Sequence, residues 1–381
     1  DIDSLLNQLT LRINLQTKIR DLSVGFQQRV EILKLLYRGA DLLILDEPTA
    51  VLAPQETWEL FQTLRSLKAQ GKTVIFISHK LREVLEIADR ITVMRDGKVV
   101  GVVESPLPSI ENLARMMVGR EVVHPSPQGE RRYDEILKVE EVETREGARR
   151  ELKGLSFSLK AGEILGIAGV EGNGQADLVE VLAGLKIPFK GAIFLKGHEI
   201  THLSPRARRE MGIACIPDDR QVKGLILDQT IADNLILGKH HASDVTGKLF
   251  LNIQHIREEA QRVIEQFQIR PSALDMPVRR LSGGNQQKVV LAREMNRSPL
   301  ILIAFQPTRG LDIGATEFIH AQLIEMRNRG GAVLLISADL EEILALSDRV
   351  AVMYEGRIMR ILSRSEAKEE EIGLLMAGMT R

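Results

Sequence analysis

Two adjacent carboxylates, Asp46 and Glu47, follow the apolar run Leu42-Leu43-Ile44-Leu45 and precede Pro48-Thr49. The run has the length and character of a buried strand. Open α/β sheets place their ligands at the carboxyl ends of such strands. An aspartate there suits Mg²⁺, which takes oxygen ligands and keeps several of its waters. A glutamate beside it can orient and deprotonate an attacking water. The plain alternative is two solvated charges in a turn. A second apolar run, Thr73 to Ile77, ends in Ser78-His79. A histidine at that strand end can hydrogen-bond a terminal phosphate oxygen.

A third constellation is Leu281-Ser282-Gly283-Gly284-Asn285-Gln286-Gln287, ahead of the helical run Lys288 to Met295. Ser282 is an expected N-cap. Gly283 and Gly284 bare backbone N–H groups at a helix N-terminus, where an anion can approach. A fourth is Gly169-Val-Glu-Gly172-Asn-Gly174-Gln175-Ala176, between the short apolar strand Glu163 to Ala168 and a helix expected over Asp177 to Leu185. Its glycines can form a backbone nest for phosphate.

These motifs sit in an internal repeat. From Leu22 to Leu281 is 259 positions, and at that offset residues 22 to 103 lie over 281 to 362 without a gap. Leu22-Ser23-x-Gly25-x-Gln27-Gln28 matches Leu281-Ser282-x-Gly284-x-Gln286-Gln287, Pro48-Thr49 matches Pro307-Thr308, and Asp89-Arg90 matches Asp348-Arg349. Such a period is too long for a solenoid and indicates two copies of a domain. We expect the C-terminal part of a first domain at 1–122, a polar, proline-containing linker at 123–134, and a second domain at 135–381. The first copy lacks the front half that the second has, so it is expected to be incomplete. Asp1 to Arg20 reads as polar and helical, and Ile110 to Val118 as a short helix closing the first unit. In the second, Ile136 to Val142 and Ala332 to Ser337 read as strands and Leu340 to Leu346 as a helix. Short apolar strands alternating with helices indicate a largely parallel α/β sheet.

Composition narrows the function classes. Hydrophobic residues make up 44% and charged residues 27%, as in ordinary globular domains. Aromatics at 4% and a net charge of -1 disfavour a nucleic-acid partner. No apolar run approaches the roughly 18 residues of a membrane span. The one cysteine, Cys215, excludes an internal disulfide and reads as a small buried apolar residue.

Leu-Ser-Gly-Gly-x-Gln-Gln, Leu-Asp-Glu-Pro-Thr and Ser-His together resemble the signature motif, Walker B motif and H-loop of ATP-binding cassette (ABC) ATPases. The tandem arrangement, with Pro307-Thr308-Arg309-Gly310-Leu311-Asp312 in the second copy, is similar to the ATP-binding subunits of simple-sugar and nucleoside importers. The resemblance implies tandem P-loop NTPase-like α/β domains, each a mostly parallel sheet flanked by helices with a helical subdomain. It implies ATP and Mg²⁺ as cofactors and transmembrane permease subunits as partners. It implies a solute-binding protein acting indirectly, no nucleic acid, and a peripheral place on the cytoplasmic membrane face.

In that family two cassettes pair head to tail around ATP, which sorts the residues into two sites. One takes Asp46 for Mg²⁺ through water, Glu47 and His79 for catalysis, and Ser282, Gly283, Gly284 and Gln286 from the facing signature. Asp312 is carried over as a further nucleotide-binding position. The P-loop of this site is expected upstream of Asp1, so these residues alone are expected to turn over ATP poorly. The other site takes Gly169, Gly172, Gly174 and Gln175, with Ser23 and Gly25 from the first signature, where Val24 replaces a glycine. Here Gln175 stands for the phosphate-binding lysine, Ala176 for the Mg²⁺-binding hydroxyl, Phe305 for Asp46, Gln306 for Glu47 and Ala338 for His79. Losing one transition-state donor costs roughly 10²- to 10³-fold in rate. With all of these replaced, negligible hydrolysis is expected at this site.

Nucleotide binding there without hydrolysis, and pure scaffolding, stay open. Asp218, after Ile213 to Pro217, lies near where these ATPases carry a loop facing the membrane partner, or in a simple Pro-Asp turn. A soluble twin-cassette translation factor and a non-hydrolytic scaffold are the other classes. Such factors generally keep both Walker sets and a long charged linker.

Overall fold

The computed structural model describes residues 17–19, 24–49, 54–78, 80–95, 97–104, 108–119, 134–146, 149–239, 245 and 251–379. His79, Ser23, residues 1–16 and the linker up to 133 lie outside the described residues. The chain divides into two compact units, Asp1–Val122 and Val123–Arg381.

In the first unit, strands β1 (Leu42–Asp46) and β2 (Thr73–Ile77) pair in parallel, with Asp46 opposite Ile77. The helix Pro54–Ala69 joins them. It buries Leu60, Phe61, Leu64 and Leu67, the spacing of one helical face, against Leu43 and Leu45 of β1 and Ile32 and Leu33 of the helix Val24–Tyr37. A hairpin of β3 (Arg90–Arg95) and β4 (Lys98–Glu104) follows, then the helix Ile110–Val118. Ser109 caps that helix by accepting from the Asn112 N–H, and Gly119 ends it in the left-handed conformation.

The second unit has three layers. Its centre is a six-stranded sheet in the order β10 (Ile213–Ile216), β11 (Ile301–Phe305), β12 (Ala332–Ser337), β7 (Ile164–Ala168), β13 (Arg349–Tyr354), β14 (Arg357–Ser363), parallel except for the last pairing. One face carries Leu302, Ala304, Val333 and Leu335, packed with the helices Gly283–Met295, Ile313–Asn328 and Leu340–Leu346. The other carries Ile301, Ile303, Phe305, Leu334 and Ile336. It packs with the helix Gln175–Ala183 and an antiparallel sheet of β5 (Glu135–Glu146), β6 (Arg149–Lys160), β8 (Lys190–Leu195) and β9 (His198–Glu199). Cover on both faces explains why β7, β11 and β12 are buried at every position and almost wholly apolar.

That comparison corrects one expectation. Leu42 to Leu45 reads as a fully buried strand, yet only Leu43 and Leu45 are buried, while Leu42 and Ile44 are exposed. They match Ile301 and Ile303, which lie under the antiparallel sheet. Among the described residues the first unit has no layer equivalent to it.

Candidate functional site

The carboxylate turn of the first unit is built from the ends of β1 and β2. Asp46 is exposed at the last position of β1. Glu47 is half-buried, with φ +45°, and its N–H donates to the Ile77 carbonyl at 2.9 Å. A left-handed backbone at a non-glycine residue is uncommon and is held by its surroundings. Thr49, fully buried, donates its hydroxyl to the carboxylate of Glu83 on the helix Leu81–Ile87. Asp46 and Glu47 thus stand together at one strand end, as the sequence indicates.

The second unit repeats the turn without the carboxylates. Gln306 has φ +50°, and its N–H donates to the Ile336 carbonyl at 2.7 Å. Thr308 donates to Glu342 at 2.8 Å. In place of Asp46 stands Phe305, 8% exposed and packed in the core. The Gln306 side-chain oxygen accepts the N–H of Ala338 at 3.3 Å, so the amide spans to the position matching His79.

The glycine loop leads from β7 into the helix Gln175–Ala183. Gly174, at φ +101°, is its N-cap, a conformation open to glycine alone. Gln175 is buried, and its amide donates back to the Val170 carbonyl at 3.0 Å. It closes the loop on itself where a lysine would extend toward phosphate. Glu171 adds an acidic group at the tip, paired with Arg309 at 3.3 Å. Gly169, Gly172, Gly174 and Gln175 therefore share one loop, whose tip is tied to Arg309 through Glu171.

Ser282 caps the helix Gly283–Met295, accepting from the Asn285 N–H at 3.4 Å. This helix starts five residues before the helical run read from the sequence, so both glycines lie in its first turn. Gly284 has no room for a side chain, because a β-carbon there would meet the Ala315 methyl at 2.9 Å. Asp312 caps the next helix through the Ala315 N–H at 2.8 Å and lies beside Gly284. Gln286 is different. It is 3% exposed, donates to the Val278 carbonyl at 3.2 Å and accepts from Gln221 at 3.0 Å. It braces the turn from inside, with both ends of its amide engaged by protein groups. In the first signature, Gly25 lies in the first turn of the helix Val24–Tyr37.

Asp218 accepts from Lys223 at 2.9 Å, which holds the lysine above its ordinary range. Asp219 caps the π-helical turn Arg220–Gly224. Arg220 donates to the Arg309 carbonyl at 2.9 Å and packs on Gly283. It links this loop to the signature helix, and burial lowers its pKa. Sequence patterns gave no sign of Glu83, Glu342 or Arg220, which act through contacts distant in the chain. The repeat does hold the signal for the first two, since Glu83 and Glu342 are in register.

Comparison with known proteins decides the family. The family described as ABC transporter matches residues 1–50 and 152–309. The chain belongs to the ABC transporter family. It is an ATPase of that family. The nucleoside import ATP-binding protein of Lactococcus lactis is 45% identical over 94% of this chain and 72% of its own length. The guanosine import ATP-binding protein of Bacillus subtilis is 45% identical over 100% of this chain and 75% of its own. The glucose import ATP-binding protein of Haloferax volcanii is 41% identical over 99% and 69%. Among solved structures, an ATP-binding cassette of an ABC transporter in its ADP conformation has a TM-score of 0.54 at 24% identity. That match covers 64% of this chain and 95% of that one, and it shows the fold of an ABC cassette. No helix of the described residues is long and apolar enough to cross a membrane.

Proposed function

We propose that this ABC ATPase energises import of a nucleoside or simple sugar, and that hydrolysis rests on Asp46 and Glu47 of its first cassette alone. The observation that carries the reading is the duplicated turn. Glu47 and Gln306 occupy the same left-handed position on the same strand pairing. One is a carboxylate that can take a proton from water, and the other is an amide that cannot. Asp46 is an exposed oxygen ligand, so it fits a hydrated Mg²⁺, whereas Phe305 offers no ligand atom. Mg²⁺ bound there would neutralise charge on the phosphates of ATP. His79 is proposed to contact the terminal phosphate, and Ser282, Gly283, Gly284 and Asp312 to belong to the nucleotide-binding machinery.

In the second cassette, Gln175 satisfies its own loop and Glu171 opposes phosphate by charge. We infer that this loop does not support hydrolysis. Identity favours a nucleoside over a sugar, since the two relatives at 45% are named for nucleoside and guanosine import. Membrane permeases, with a solute-binding protein acting through them, are the partners this implies, at the cytoplasmic membrane face. The test is steady-state phosphate release by Glu47→Gln and Gln306→Glu variants of the full-length protein. Glu47→Gln is expected to lose about 10²- to 10⁴-fold, and Gln306→Glu to stay within about twofold. Turnover that survives Glu47→Gln, or rises with Gln306→Glu, sinks the reading.

A further inference from the structure

We propose that Glu83 is a positioning residue for hydrolysis, which fixes the carboxylate turn by holding Thr49, two residues beyond Glu47. The inference rests on the assignment of Glu47 above. Thr49 is buried completely, and both of its polar ends are held by one short segment. Its hydroxyl donates to Glu83, and its carbonyl accepts from the Lys80 ammonium at 3.2 Å. Lys80 also lies 3.3 Å from the Glu83 carboxylate. Lys80 and Glu83 follow the position of His79 in sequence, by one and four residues. The turn that carries Glu47 is thereby tied to the segment that follows β2.

The second cassette shows which part of this cluster the turn requires. Thr308 and Glu342 keep the bond at the same repeat offset. The second side chain beside the carboxylate has changed origin. Lys80 is matched by Asp339, which caps the helix Leu340–Leu346 through the Glu341 and Glu342 N–H groups. His320 reaches Glu342 at 2.9 Å from the helix Ile313–Asn328, where the first cassette has Phe61. So the Thr–Glu bond recurs with different neighbours, beside a turn with carboxylates and one without. It acts on the backbone of the turn. Releasing Thr49 removes a restraint two residues from the left-handed Glu47, so the turn can shift even while the Glu47 N–H bond to Ile77 is kept. A displacement of about 1 Å at a reacting group costs up to about 10²-fold.

The experiment compares steady-state ATP turnover of the full-length protein carrying Glu83→Ala, Glu83→Gln, Thr49→Val or Glu342→Ala, with thermal unfolding of each. Glu83→Ala is expected to lower kcat about ten- to hundredfold with KM for ATP within about twofold. Thr49→Val removes the hydroxyl and keeps the bulk, and is expected to do the same. Glu83→Gln keeps an acceptor for Thr49 and is expected to retain at least about a third of kcat. Glu342→Ala breaks the equivalent bond and is expected to leave kcat within about twofold. Equal loss of kcat in Glu83→Ala and Glu342→Ala overturns the proposal, because the bond is then only structural. So does a Thr49→Val variant with undiminished kcat, which decides the matter if Glu83→Ala does not fold. Glu47→Gln run alongside separates the two readings. If it keeps turnover, the assignment of Glu47 fails; if it abolishes turnover while Glu83→Ala and Thr49→Val do not lower kcat, the positioning role alone fails.

Discussion

Placing in the second cassette the carboxylate that we propose for Mg²⁺, by Phe305→Asp, should damage the fold before it affects the chemistry. Phe305 ends β11 opposite Ile336, on the sheet face packed against the antiparallel layer, and is 8% exposed. Asp46 occupies the matching place and is exposed. Emptying a buried phenylalanine site costs about 3–5 kcal/mol. A carboxyl placed there is disfavoured when charged, so its folded pKa rises above the unfolded value of about 3.9. The folded state then binds more protons than the unfolded one above that pH. Stability must therefore fall further as pH rises, by about 1.4 kcal/mol per unit, until the folded pKa is passed. Against a total of about 5–15 kcal/mol, this is a severe loss. Urea unfolding of Phe305→Asp and the parent at pH 5 and pH 8 measures it, with the larger deficit at pH 8. Adding Gln306→Glu should bring no extra turnover, since Gln175 and Ala176 remain. A variant within about 1 kcal/mol of the parent at both pH values would refute the reasoning, because position 305 would then tolerate a solvated group as position 46 does.

Two further outcomes follow from the repeat and from burial. Arg327 and Asp348 form an ion pair with side chains 4% and 7% exposed, and Lys68 and Asp89 form the matching pair at 58% and 71%. Asp348→Asn should cost about 3–5 kcal/mol by removing the charge that faces the buried guanidinium, and Asp89→Asn less than about 1 kcal/mol, both read by chemical unfolding. Burial pushes the Cys215 thiol up to about 12, with the charge of Glu294 adding to it. At pH 8 only about 10⁻⁴ of it is thiolate, the reactive form. Alkylation in native buffer should therefore run at least about a thousandfold slower than in urea, where the thiol returns to about 8.5. Its raised folded pKa also removes stability as pH climbs above that unfolded value. Fast native labelling at pH 8 would contradict the burial argument.

Much of the fold was legible where breakers bound a periodic run. The strand Ala332–Ser337 and the helices Leu340–Leu346 and Ile110–Val118 have the ends that the pattern implies. The helix expected over Asp177 to Leu185 spans Gln175–Ala183, because Gly174 and Gly184 cap it in left-handed conformations. β5 outruns the alternation of Ile136 to Val142, since pairing with β6 and β8 extends it past the apolar residues. The exposure of Leu42 and Ile44 was not legible, because an apolar strand does not say whether both of its faces are covered. Of the candidate site, Asp46, Glu47 and the capped signature helix could be read from residue type and spacing. The inward turn of Gln286 could not, since its partners Val278 and Gln221 come from other segments. Thr49 and Glu83 are ordinary residue types 34 positions apart, and only a folded chain brings them together.

The duplicated turn separates what the fold needs from what the chemistry needs, within one polypeptide. The left-handed residue, its N–H bond to the neighbouring strand and the Thr–Glu bond are present in both copies. None of them uses the carboxylate of Glu47 or Asp46. The backbone geometry therefore cannot have been set by the catalytic groups, and a turn bearing Phe305 and Gln306 is as well formed as one bearing Asp46 and Glu47. The converse does not hold. Asp46 is exposed and Glu47 half-buried at the end of β1, so the turn that carries their backbone contributes to where their carboxylates stand. If Glu47 acts as proposed, the rate of the first cassette should depend on bonds that the second cassette also has, and breaking the second cassette's copy should cost no rate.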